Sequence, residues 1–130
     1  MGRTAREALE FAYSEAVFEI DFEDGPEQFV VGAIGSARPP FFGITAYNPG
    51  FERPSPQENE AANRELVRRI TELGVPFRPA VGRNRESTYA EPSFAVFGIS
   101  EAAAIALARR FRQAAVVHWD GERAGIVWCV

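Results

Sequence analysis

Residues 41–81 read FFGITAYNPGFERPSPQENEAANRELVRRITELGVPFRPAV, and this stretch decides the predicted fold. Its largely apolar start, Phe41–Tyr47, is typical of a central strand that is covered on both faces. Ser55–Glu58 then supplies an N-cap serine, a proline at the first helical position and the glutamate of a capping box. These signals predict a helix that ends at Gly74, followed by a strand at Val75–Val81. The stretch therefore predicts a strand–helix–strand unit.

The sequence on either side of this unit predicts further strands and helices. Phe18, Ile20 and Phe22 alternate with acidic residues, which indicates a strand with one buried and one solvated face. The pair Asp120-Gly121 is a strong turn signal and predicts a final hairpin. The remaining predicted elements are a helix at Thr4–Ser14, a strand at Phe29–Ile34, a polar loop at Gly82–Pro92, a strand at Ser93–Ile99, a helix at Ser100–Phe111, and hairpin strands at Ala114–Trp119 and Arg123–Cys129.

The order of these elements indicates an α+β fold. We expect a mainly antiparallel sheet with two main helices on one face, because strand–helix–strand crossovers are right-handed. Between Phe41 and Trp119 the order β-α-β-β-α-β is that of a ferredoxin-like core, and the hairpins at either end would widen the sheet. At 130 residues the chain is expected to form a single domain, residues 1–130.

The cysteine and histidine counts limit the chemistry that the chain can support. The single cysteine, Cys129, excludes an internal disulfide, and the single histidine, His118, excludes a multi-histidine metal site. Glu19, Asp21 and Glu23 alternate with phenylalanines, as on a solvated strand face, and no calcium-loop spacing occurs. We therefore expect neither a metal nor another cofactor.

Charge and hydropathy indicate which partners the protein avoids. The formal net charge of −4 argues against strong non-specific nucleic-acid binding, which depends on a positive field. No apolar run approaches the ~20 residues of a membrane span, and the start of the chain lacks the apolar core of a signal peptide. We expect a cytoplasmic protein without a membrane partner, and the sequence identifies no protein partner.

Two asparagines lie on the buried stripe of the helix that follows Ser55. Asn59 and Asn63 are one turn apart and in line with apolar residues further along the helix. Since asparagine is unfavourable inside a helix, this placement needs a reason. With Asn48 at the end of the preceding strand, the amides could hold a small polar or anionic ligand, Asn59 facing it and Asn63 serving structure. Alternatively, the amides bond the main chain and fix the connection from Asn48 to Ser55.

Glu91 and Arg83 flank the predicted polar loop. Glu91 could be a general base or a ligand anchor beside the amides, and Arg83 could contact an anion. Alternatively, they belong to an exposed loop with an ion pair of little energetic value. Both interpretations stay open at this point.

The run Ile44–Pro49 (ITAYNP), followed by Asn59 and Asn63, resembles the signature of a bacterial family, domain-of-unknown-function family 3293. The resemblance covers most of residues 41–121 and implies a shared domain without implying an activity. Thr45 lies within this run and joins the candidate residues. The resemblance continues through Pro79–Arg83, Glu91–Phe94, Ala106–Phe111 and Trp119–Gly121.

Three functional hypotheses follow. The leading one is a binding or regulatory module with a polar cleft for a small polar or anionic ligand. One alternative is a small hydrolase or transferase that uses Glu91 as a base and the amides to orient its substrate. Another is a protein-interaction module that acts through the acidic N-terminal hairpin or an exposed sheet edge. No catalytic residue is assigned, and the ligand-binding candidates are Thr45, Asn48, Asn59, Asn63, Arg83 and Glu91.

Overall fold

The structure, a computed structural model, describes residues 4, 7, 13, 15–49, 52–84 and 90–129. Along these residues each of two helices lies between two strands in the chain order. The helix predicted at Thr4–Ser14 lies outside the described residues, apart from isolated positions. The strands are β1 (Ala16–Phe22), β2 (Gly25–Val30), β3 (Phe41–Ile44), β4 (Phe77–Asn84), β5 (Ala90–Phe97), β6 (Ala115–Trp119) and β7 (Ala124–Trp128), and the helices are α1 (Pro56–Leu73) and α2 (Glu101–Arg110).

The strands form one sheet in the order β2-β1-β4-β5-β3-β6-β7. Every neighbouring pair is antiparallel, and the short strand β3 lies between β5 and β6. The sheet curves so that the segment directly after its edge strand β2 reaches the opposite edge strand β7. There the Gly32 N–H donates to the Ala124 carbonyl over 2.8 Å, and the Ala124 N–H donates to the Ala33 carbonyl over 2.9 Å. The sheet is therefore a half-barrel.

The predicted fold class, an α+β fold built on two main helices and a ferredoxin-like core, is wrong for this chain because the curved sheet dominates it, although both helices do lie on one face of that sheet. The sheet dominates, and the two helices have only 18 and 10 residues. The inner face of the half-barrel carries a core of its own, to which neither helix contributes. Since side chains of the curved sheet cover one another, this face needs no layer of helices. The buried members of this inner core are Phe18, Ile20, Phe29, Phe41, Ala80, Ala95, Trp119 and Ala124.

Aromatic rings fill the inner core. The Phe41 ring lies 5.0 Å from that of Phe29 and 6.0 Å from that of Phe18, between ring centroids. Trp119 is fully buried, with its ring 5.4 Å from that of Phe29. A Cβ atom at Gly43 would lie 2.5 Å from Cζ of Phe18, well inside van der Waals contact. The packing of the Phe18 ring therefore requires a residue without a side chain at position 43.

The helices pack on the outer face of the sheet, where Phe42, Ile44 and Val96 form the centre of a second core. This arrangement follows from the period of two in a strand, since Phe41 and Phe42 face opposite sides of β3. Within the described part of the chain, no helix is long and apolar enough to cross a membrane. The helices contribute Leu66 and Ile70 from α1 and Ala104, Leu107 and Ala108 from α2.

The predicted element boundaries agree with the structure best where a cap defines them. Helix α1 has the Ser55 N-cap and the complete capping box, and it ends at Gly74 in the left-handed conformation, with φ of 71°. The loop predicted at Gly82–Pro92 is wrong at both ends. β4 extends to Asn84 and β5 begins at Ala90, so the loop residues nearest these ends belong to the sheet.

Candidate functional site

Side chains, rather than a neighbouring strand, bind three consecutive backbone N–H groups after β3. The ladder between β3 and β5 ends at the pair Ile44–Phe94. Beyond it, each N–H from residue 46 to residue 48 has a side-chain acceptor. The Ala46 N–H donates to Oδ1 of Asn63 (2.9 Å), the Tyr47 N–H to Oγ1 of Thr45 (3.1 Å) and the Asn48 N–H to Oδ1 of Asn59 (3.0 Å). We call Thr45–Asn48 together with Asn59 and Asn63 the β3–α1 junction.

The donor groups of both α1 asparagines are used as well. Nδ2 of Asn63 donates to the Pro92 carbonyl over 2.9 Å, and the same carbonyl accepts the Thr45 hydroxyl over 2.8 Å. Nδ2 of Asn59 donates to Oδ1 of Asn48 over 2.8 Å. Asn59 is 5% exposed and Asn63 7%. Because a buried amide without partners is costly, this full pairing explains how two asparagines are accommodated on the buried face of α1.

The junction holds Asn48 in a backbone conformation that few residues adopt. Its φ is 44°, in the left-handed region, which asparagine tolerates better than other residues with a side chain. Both Asn48 contacts described above are made by Asn59, so the first turn of α1 fixes the end of the preceding strand. The backbone N–H of Ser55 lowers the pKa of Glu58 by donating to its carboxylate over 3.2 Å. The α1 N-terminus is thus capped and anchored to β3.

Gln113 also binds to the junction, which the sequence did not predict. It is 5% exposed, and its Nε2 donates to the Tyr47 carbonyl over 3.1 Å and to the Phe111 carbonyl over 3.3 Å. Next to it, Arg112 pairs with Glu52 over 3.0 Å. The sequence shows Gln113 only as a polar residue directly before an apolar strand. This does not identify the Tyr47 carbonyl, far away in the chain, as its partner.

Arg83 and Glu91 lie on the strands β4 and β5 and not among the residues of the junction. Arg83 lies on β4, where its Nη2 is 3.9 Å from the Glu19 carboxylate of β1. Glu91 is paired with Gly82 in the ladder, one residue before the Pro92 carbonyl that the junction uses. By strand alternation its side chain shares the face of Ser93, on the inner side of the sheet, whereas α1 packs on the outer side. The junction thus brings together four of the six candidates: Thr45, Asn48, Asn59 and Asn63.

His118, Cys129 and Glu19 make contacts that are typical of structural residues. His118 stacks on Phe42, with ring centroids 4.0 Å apart. Cys129 is buried, and burial raises the pKa of its thiol against an opposing effect of Arg109. Among the residues that the structure describes, no three His, Cys, Asp or Glu side chains are grouped so that they could hold a metal ion. Glu19 accepts a hydrogen bond from the Gln28 amide over 2.9 Å, as expected for a solvated strand face.

The fold and the junction together define a sheet-dominated domain in which a short central strand is connected to a helix through buried amides. A model of the family described as "Protein of unknown function (DUF3293)" matches residues 44–116, which is more than half of the chain. The chain belongs to this family, and the resemblance seen in the run Ile44–Pro49 is confirmed. No curated protein and no solved structure matches the chain.

Replacing Asn63 by alanine should lower the free energy of unfolding by about 2 kcal/mol, because it leaves the buried Ala46 N–H without its acceptor and the Pro92 carbonyl short of a donor. Asn59→Ala should cost about 1 kcal/mol, since its bonds to Asn48 are only part-buried and water can replace them. Urea denaturation of both variants measures the difference. Glu60→Ala, on the exposed face of α1, is the control and should change stability little. A larger loss for Asn59→Ala than for Asn63→Ala would contradict this assignment.

Proposed function

We propose that the protein is a binding or regulatory module that takes a small polar or anionic ligand beside the β3–α1 junction. The observation that carries the proposal is the buried amide pair, Asn59 and Asn63. Three of the four polar atoms of the pair bond Ala46 and Asn48, between β3 and α1, and the fourth bonds the Pro92 carbonyl of β5. Asn48 is held in a left-handed conformation. A non-glycine residue kept in a rarely populated conformation by side-chain hydrogen bonds is a reason to look for function there.

The chemistry of the junction suits recognition rather than proton transfer. Asparagine and glutamine amides donate and accept hydrogen bonds but do not exchange protons near neutral pH, so they can orient a ligand without acting as acid or base. The N-terminus of α1 follows closely in the chain, and the aligned peptide dipoles of a helix give its N-terminus a partial positive charge that favours an anion. These properties support a polar or anionic ligand as the class to test first.

The extent of the family match also supports this location. Residues 44–116 include every candidate residue and also Gln113, whereas the acidic β1–β2 hairpin lies outside the match. The enzyme alternative requires Glu91 next to the amides, and strand alternation places its side chain on the other side of the sheet from α1. The geometry therefore favours binding over catalysis by Glu91.

Melting temperatures measured with inorganic phosphate and with citrate, each against sodium chloride of equal ionic strength, test the proposal. A ligand present at 100 times its Kd should stabilise the folded protein by about 2.7 kcal/mol. Asn48→Gly is the informative variant, because glycine keeps the left-handed backbone and removes only the side chain. We expect the anion-dependent rise in wild type to be lost in Asn48→Gly.

Arg68→Ala is the matched control, since Arg68 is exposed on α1 and pairs with Glu65 and Glu72 of the same helix. This variant should keep the full anion-dependent rise. The proposal fails if neither anion raises the melting temperature of wild type. It also fails if Asn48→Gly responds as wild type does.

A further inference from the structure

Arg38 makes three contacts with the β1–β2 hairpin at the other end of β3 from the junction. Its Nη2 lies 2.6 Å from Oδ1 of Asp24, and its Nε lies 2.9 Å from Oε1 of Glu27. Its Cζ lies 3.7 Å from the centroid of the Phe22 ring, which is cation–π geometry. Donation from Arg38 lowers the pKa of Asp24. One aromatic ring and two carboxylates thus surround a single guanidinium group.

The same residue ties its own segment to the inner core. We call residues Gly35–Pro40, the second part of the connection from β2 to β3, the strap. Within the strap, Oγ of Ser36 donates to Oε2 of Glu27 over 2.6 Å and accepts the Arg38 N–H over 3.1 Å. The Arg38 carbonyl accepts the indole N–H of the buried Trp119 over 2.8 Å. Side chain and main chain of Arg38 together therefore hold the strap across one end of the half-barrel.

We propose that Phe22, Asp24 and Glu27 form a guanidinium-binding site that Arg38 fills from within the same chain, and that this contact latches the strap. When the Arg38 side chain leaves this site, the strap opens while the sheet stays folded. The site can then bind an arginine side chain from another molecule. Two carboxylates face one guanidinium, so the emptied site keeps a surplus of negative charge that attracts a cation.

Two features of the strap support its opening as a unit. The side chain of Arg38 is 27% exposed and that of Asp24 is 71% exposed, so a ligand from solution can reach the site. The strap begins at Gly35, whose φ of 87° gives the chain a sharp bend directly after the isolated bridge from Ile34 to Arg123. Most residues of the strap are exposed, and segments with few buried apolar contacts open locally below the free energy of global unfolding.

Chemical rescue tests the proposal in a Trp128→Phe background, in which Trp119 is the only tryptophan. We expect Arg38→Ala to raise acrylamide quenching of Trp119 fluorescence about threefold, because the strap no longer covers the indole. Methylguanidinium at about 10 mM, roughly ten times the Kd of a millimolar ligand, should restore most of the protection. Adding Asp24→Asn and Glu27→Gln to Arg38→Ala should abolish the rescue.

Methylammonium at the same concentration is the control, since it carries the charge without the planar fork of a guanidinium. Equal rescue by methylammonium, or quenching that Arg38→Ala leaves unchanged, would overturn the proposal. Hydrogen exchange of the wild-type protein provides a measurement that does not depend on the variant folding. Strap amides should exchange at lower denaturant concentration than those of β3, and exchange of both at the same concentration would show that the strap does not open separately.

Discussion

Replacing Trp119 by alanine should lower the free energy of unfolding by about 3–5 kcal/mol, the largest loss expected from a single change to the inner core. Trp119 is fully buried, packs against Phe29 and donates its indole N–H to the Arg38 carbonyl. The substitution removes a large apolar surface, opens a cavity between strands that cannot all move inward, and leaves a carbonyl of the strap unpaired. Urea denaturation followed by far-UV circular dichroism measures the loss.

Two further variants separate the causes of this loss. Trp119→Phe keeps much of the ring volume but removes the indole N–H, so it should lose about 2 kcal/mol. Trp128→Ala, at the edge strand β7 and only half-buried, should lose less than Trp119→Ala. Equal losses at positions 119 and 128 would show that the inner core is not the main source of stability.

Gly43→Val should lower the free energy of unfolding by about 3 kcal/mol, because the position has no room for a side chain. The first added atom would lie 2.5 Å from Cζ and 2.7 Å from Cε1 of Phe18. The Phe18 ring cannot simply turn away, since it is buried and stacks on Phe41. Urea denaturation is again the measurement, and a free energy of unfolding close to that of wild type would contradict the expectation.

Gly125→Val is the matched control for this change. Gly125 is also a strand glycine, in β7, and a Cβ atom there would meet nothing within 4 Å. Its replacement by a β-branched residue should be neutral or slightly stabilising, because valine favours extended backbone. Combining Gly43→Val with Phe18→Leu should recover part of the loss, since a smaller side chain at position 18 makes room for the new one.

Local signals in the sequence were enough to find most elements but not the fold class. The capping box at Ser55 and the Asp120-Gly121 turn act over a few residues, and the helix and hairpin they predict are present. Curvature is not a local property. The adjacent Phe41 and Phe42 indicated that β3 is covered on both faces, but nothing in that pattern tells whether helices or the sheet itself cover the inner face.

For the candidate site residues too, local patterns predicted positions within one element but not the partners on other elements. Helical spacing placed Asn59 and Asn63 correctly on the buried stripe of α1, because periodicity fixes the direction of a side chain within one element. Their partners lie outside the helix: Asn59 bonds Asn48, and Asn63 bonds the Ala46 N–H and the Pro92 carbonyl of β5. Glu91 was assigned to a loop, and a loop has no alternation from which the direction of its side chain could be derived.

The position of β3 in the sheet affects how the chain folds during synthesis. Its partner strands come much later in the sequence, since Phe41 is paired with Phe97 and with Trp119. During synthesis, the hairpin β1–β2 can form as soon as it leaves the ribosome, whereas β3 has to wait for β5 and then for β6. Contacts between distant parts of a chain form slowly, and an apolar strand that waits for them is open to aggregation. We therefore expect the nascent chain to depend most on chaperones between the emergence of Phe41 and that of Trp119.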